Sequence, residues 1–84
     1  MDNKRKIEIL KEMKGMISSG LDSCLCNALF TADRDLWEKD NSLEKLGISK
    51  PRTAKKYAPY WYEQYDRKPR IRAINKAIKK LQSK

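Results

Sequence analysis

Histidine is absent from the sequence, and with it goes the side chain that most often serves as a general base near neutral pH. Only two cysteines occur, Cys24 and Cys26. Two positions apart on a helix, they point about 200° away from each other, so an intrachain disulfide between them is geometrically poor. With no histidine and no second cysteine pair, a four-ligand zinc site is nearly excluded. The glycines number three, and no glycine-rich phosphate loop, nucleophile elbow or paired-carboxylate motif is found. The expectation is therefore a protein that is not an enzyme and carries no cofactor. Asp33, Asp35, Glu38 and Asp40 lack the central glycine and terminal glutamate of an EF-hand loop, so they read as a solvated acidic face and no metal is expected.

Long apolar runs are missing too. The stretch from Leu21 to Ala32 is broken by Asp22, Ser23 and Asn27, far short of the ~20 residues a membrane span needs. Lys4, Arg5 and Lys6 are followed by Glu8 and Glu12 and not by an apolar segment, which is not the pattern of a signal peptide. Reduced cysteines, no export signal and no span point to the cytoplasm.

What the sequence has in quantity is positive charge, +9 over 84 residues, and the placement matters more than the total. Residues 1–14 hold five basic and three acidic side chains, residues 15–49 three basic and six acidic, and residues 50–84 twelve basic and two acidic. The excess lies almost wholly in the C-terminal part. Such a field draws phosphates, acidic protein surfaces or anionic lipid, and is silent about fold. A chain this short hides only about 60–65% of the surface its unfolded form exposes, so a well-organised helical core or association into a homo-oligomer is expected to supply stability.

The periodicity predicts an all-α protein, one domain over residues 1–84 built as a bundle of about four to five short helices. Ile7, Leu10, Met13 and Ile17 recur every three or four positions, the mark of an amphipathic helix over 4–17, with a break at Ser18-Ser19-Gly20. Leu21, Cys24, Leu25, Ala28 and Leu29 repeat the pattern. Ser19 and Asp22 form a capping-box-like start, although the same run is also compatible with a strand. Asn41-Ser42-Leu43-Glu44 resembles a helix start and Gly47 a stop. Ser49-Lys50-Pro51 resembles another start, limited downstream by Pro59. The last helix begins between Asp66 and Pro69. Its stripe is Ile71, Ile74, Ile78 and Leu81, and Arg72, Lys76, Lys79 and Lys80 lie opposite.

Five of the seven aromatic residues fall between Tyr57 and Tyr65, among Arg52, Lys55, Lys56, Arg67, Arg70 and Arg72. Rings stack on bases, and arginine forks clamp phosphate oxygens in pairs. Arg67, Arg70 and Arg72 stand near the expected start of the last helix, where free backbone N–H groups also favour an anion. Together with Tyr60, Trp61, Arg52, Lys55 and Lys56 they are the candidate ligand-binding residues. The competing reading is core packing: Tyr57, Trp61 and Tyr65 are spaced for one buried helix face, and the lysines of the last helix for a solvated one.

Leu25-Cys26-Asn27-Ala28-Leu29, and the Pro59-Tyr60-Trp61 turn ahead of an arginine-rich, isoleucine-striped helix, resemble features of small uncharacterised bacteriophage accessory proteins. The resemblance implies a product that acts on the host by occupying a nucleic-acid-binding surface, blocking a defence protein or sequestering a nucleotide messenger. Two readings head the field: a non-catalytic, oligomeric binder of phosphate-bearing nucleotides, and a DNA- or RNA-binding protein using the basic face of the last helix without sequence readout. An inhibitor docking on an acidic host protein and a basic amphipathic helix resting on anionic membrane complete the set.

Overall fold

A computed structural model describes residues 2–21, 24–48 and 67–83. Among them are five helices: α1 (Asn3–Ser19), α2 (Leu25–Ala32), α3 (Arg34–Trp37), α4 (Ser42–Lys45) and α5 (Arg67–Gln82). No strand occurs among the described residues, and the expected all-α class holds. The predicted start at Ser49-Lys50-Pro51 lies outside the described residues, as does the aromatic stretch from Tyr57 to Tyr65.

Each end of α1 is held by its own chemistry. Asp2 is the N-cap, its carboxylate accepting the Arg5 N–H at 2.8 Å, a contact worth about 1 kcal/mol. At the other end Gly20 takes φ +81°, its N–H donates to the Ile17 carbonyl at 3.2 Å, and the Leu21 N–H donates to Met16 at 2.9 Å. This pair of bonds is a Schellman motif, which needs a left-handed residue and so favours glycine. The buried residues Ile9, Leu10, Met13 and Ile17 span an arc of about 100°. An arc that broad lets α1 pack against two neighbours, α5 and α2.

The start of α2 departs from the sequence reading. The N-cap is Cys24, whose Sγ accepts the Asn27 N–H at 3.3 Å, and not Ser19, which stays at the end of α1. Leu21 falls outside α2 and is 72% exposed. The regular spacing that included it extended across the end of α1 at Gly20. Leu25, Ala28 and Leu29 are buried as the spacing requires, against α1, α3 and α4.

Asp33 closes α2 and opens α3 in one residue. Its N–H donates to the Leu29 carbonyl at 2.8 Å, and its Oδ1 accepts the Leu36 N–H at 3.0 Å. The expected short helix at Asn41-Ser42-Leu43-Glu44 is α4. It ends on a second Schellman motif, with Gly47 at φ +90°, the Gly47 N–H donating to Glu44 and the Ile48 N–H to Leu43. A Cβ on Gly47 would sit 3.7 Å from the Cβ of Ala77, so this turn lies directly on α5. Leu36, Leu43, Leu46 and Ile48 join the faces of α1, α2 and α5 in one core.

Candidate anion-binding surfaces

Of the residues singled out by sequence, Arg52, Lys55, Lys56, Tyr60 and Trp61 lie outside the described residues. Arg67 begins α5. Arg70 is 1% exposed and Arg72 is exposed, which separates two of the three arginines expected to converge on one anion. The reason is rotational. At about 100° per residue, Arg70 lies in the centre of the stripe that carries Ile74, Ala77 and Leu81, all buried, whereas Arg72 faces the opposite side. The core stripe of α5 is thus rotated from the predicted one, with Ile71 and Ile78 together on one flank, partly buried against the core. Arg70 is not left without a partner there, as burial of a guanidinium demands.

The outward face of α5 carries Arg72, Lys76, Lys79 and Lys80, all exposed. The helix contains no acidic residue. Arg72, Lys76 and Lys80 stand four residues apart, about 6 Å per step along the axis, and Lys79 and Lys80 in the last turn also meet the negative end of the helix dipole. The result is a cationic ridge about 12 Å long, backed by the buried stripe.

A second cationic feature involves α1 as well. A pocket of about 340 Å³ opens between α1, α3 and α4, lined by Lys6, Leu36, Lys39, Lys45 and Leu46. Leu36 and Leu46 are buried, while Lys39 and Lys45 are exposed and Lys6 is partly so. Among the described residues, none of the three lysines forms an ion pair. The ion pairs among the described residues are all made by arginines: Glu8 and Asp33 each lie 3.3 Å from Arg5, and Glu38 lies 3.4 Å from Arg34.

Sequence reasoning missed this pocket because its lysines come from three separate segments, and two of them sit in the stretch whose summed charge is negative. A sequence cue existed only in part. The leucines at 36, 43 and 46 mark which sides of α3 and α4 turn inward, but the placement of Lys6 beside them is purely tertiary.

Phe30 and Trp37 meet edge to face with centroids 4.9 Å apart, and the Arg34 guanidinium lies 5.5 Å from the Phe30 ring centre. Both rings stay substantially exposed. No group of three or more metal-ligating side chains is gathered among the described residues, and Cys24 and Cys26 are not joined in a disulfide. Among the described residues no helix is long and apolar enough to cross a membrane. Set against family models, curated proteins and solved structures, the chain matches none of them.

Proposed function

We propose that the protein is a non-catalytic binder of phosphate polyanions that lays the outward face of α5 along a nucleic-acid backbone. The observation that carries this reading is the four exposed cations, Arg72, Lys76, Lys79 and Lys80, on one side of a 16-residue helix without a single carboxylate. Cations on flexible stems meet phosphates as point charges and need no base contact, so binding is indifferent to sequence. The alternative nucleotide site at Arg67, Arg70 and Arg72 loses support, since Arg70 faces the core. In the setting that the phage resemblance implies, such a binder would coat or occupy nucleic acid in the host cytoplasm.

Fluorescence anisotropy with a labelled duplex and a labelled single strand, across a sodium chloride series, tests the reading. Up to four phosphates neutralised on duplex DNA should give a slope of log K against log salt between about −2 and −4. Replacing Arg72, Lys76, Lys79 and Lys80 together by Gln should flatten that slope and abolish binding at physiological salt. A slope unchanged by the four substitutions, or no binding of either probe at low salt, would overturn it.

A further inference from the structure

We infer that the cationic surface extends from α5 onto α1, and that Lys4, Lys11 and Lys14 meet the second strand of a duplex whose first strand lies on the α5 ridge. Such a footprint presupposes the nucleic-acid reading and narrows the ligand from any phosphate backbone to a double-stranded one. Its basis is the way α1 sorts its charges. Measured from the centre of the buried arc of Ile9, Leu10, Met13 and Ile17, Lys14, Lys11 and Lys4 fall at about 90°, 150° and 170° to one side. Arg5, Glu12 and Glu8 fall at about 90°, 110° and 150° to the other. Both glutamates of α1 thus share a flank with Arg5, which holds Glu8 at 3.3 Å, and the lysine flank of the helix carries no carboxylate.

Packing decides which neighbour each flank serves. Arg5 reaches Asp33, the residue between α2 and α3, at 3.3 Å, so its flank lies on the α2 side. The other main neighbour of α1 is α5, and these two make the most extensive contact among the described helices. It takes the opposite edge of the arc, where Ile7 and Lys14 are half-buried, with Lys4 and Lys11 exposed beyond them. None of the three lysines enters an ion pair among the described residues. Packed helix axes lie about 8–10 Å apart, so α1 and α5 present two neighbouring rows of cations. Rows at that separation suit phosphates on the two sides of a groove, about 6 Å wide for the minor and about 12 Å for the major. A single strand offers one line of phosphates and occupies one row. Flexible ammonium groups need only come near the phosphates, without the fixed geometry of a pocket.

The test compares two triple variants of the full-length protein that remove equal charge. Lys4→Gln with Lys11→Gln and Lys14→Gln strips the α1 flank. Lys6→Gln with Lys39→Gln and Lys45→Gln strips the pocket, where Lys6 lies about 160° round α1 from Lys4. Each is titrated by anisotropy against a labelled duplex and a labelled single strand across a sodium chloride series, with circular dichroism to compare helix content. The α1 triple should weaken duplex binding about tenfold or more at about 0.1 M salt and reduce the size of the log–log slope by about 1–2. Its single-strand affinity should stay within about threefold, and the pocket triple should change neither probe by more than about threefold. The double Lys4→Gln with Lys11→Gln, at exposed positions, should retain the wild-type helix content and show at least half of the slope change. Equal losses in the two triples would reduce the effect to net charge, and equal losses for duplex and single strand would put both on one row; either overturns the inference. Duplex binding that needs the α5 cations but ignores the α1 lysines would sink it while leaving the α5 reading intact, whereas no duplex binding by the wild type at low salt would sink both.

Discussion

Arg70 and Arg72 differ by two positions in sequence and by about 200° around α5, and that rotation puts one guanidinium in the interior and the other in water. The consequences of removing them should differ accordingly. Arg70→Ala leaves a cavity and strands the groups the guanidinium engages, so it should cost about 2 kcal/mol or more. Arg72→Ala removes a solvated side chain and should stay within about 0.5 kcal/mol. Urea midpoints at unchanged m-value report the difference, and equal midpoints would place both arginines on the surface. Asp33 is the other residue with two duties, capping α3 through Oδ1 and pairing with Arg5 through Oδ2 at 3.3 Å. Asp33→Ala loses both, about 1 kcal/mol for the cap and up to about 1 kcal/mol for a part-exposed pair. Asp33→Asn keeps a capping oxygen and should cost no more than half as much in the same urea experiment.

At the scale of elements, α1 offers two glycines with opposite demands. Gly15 lies inside the helix at an exposed position, and a Cβ there would meet no atom within 4 Å. Gly15→Ala should therefore stabilise by about 0.5–1 kcal/mol, through lower backbone freedom in the unfolded chain. Gly20 holds the left-handed conformation at φ +81°, and Gly20→Ala should cost about 1 kcal/mol. Thermal unfolding of the two variants should move in opposite directions, and a shared direction would mean that α1 does not end at Ser19. The same element shows what local pattern can and cannot reveal. Ile7, Leu10, Met13 and Ile17 were enough to locate α1, and Asn41 with Gly47 enough to bracket α4, because caps and periodicity are short-range. Leu21 extended the α2 pattern falsely, since spacing alone is blind to the helix end at Gly20. In α5, two stripes that share Ile74 and Leu81 compete: one adds Ile71 and Ile78, the other Arg70 and Ala77. Tertiary contact chose the second, in which small Ala77 lies against Gly47, over the one that hydrophobicity favours.

At the scale of the molecule, the C-terminal charge excess was legible from composition and persists as the α5 ridge, while the lysine pocket was invisible because it exists only after α1, α3 and α4 meet. Both features load positive charge onto a body measuring 32 × 26 × 23 Å. At about 0.01 M salt the Debye length is about 30 Å, so every charge feels nearly every other; at about 0.15 M it is about 8 Å and only neighbours interact. The described ion pairs, Arg5–Glu8, Arg5–Asp33 and Arg34–Glu38, are local and mostly exposed, each worth at most about 1 kcal/mol. Salt screens their attraction far less than it screens the long-range repulsion of a net charge of +9. Raising sodium chloride from about 0.01 to 0.15 M should therefore stabilise the free protein. A gain of about 1 kcal/mol corresponds to a melting temperature about 4–8 °C higher for a chain of this size. The same salt increase weakens nucleic-acid binding, so heat stability and affinity should move in opposite directions across one salt series. A melting temperature that falls with sodium chloride would show that attraction between charges, and not repulsion, dominates the folded chain, and the α5 ridge would then be neutralised within the protein itself.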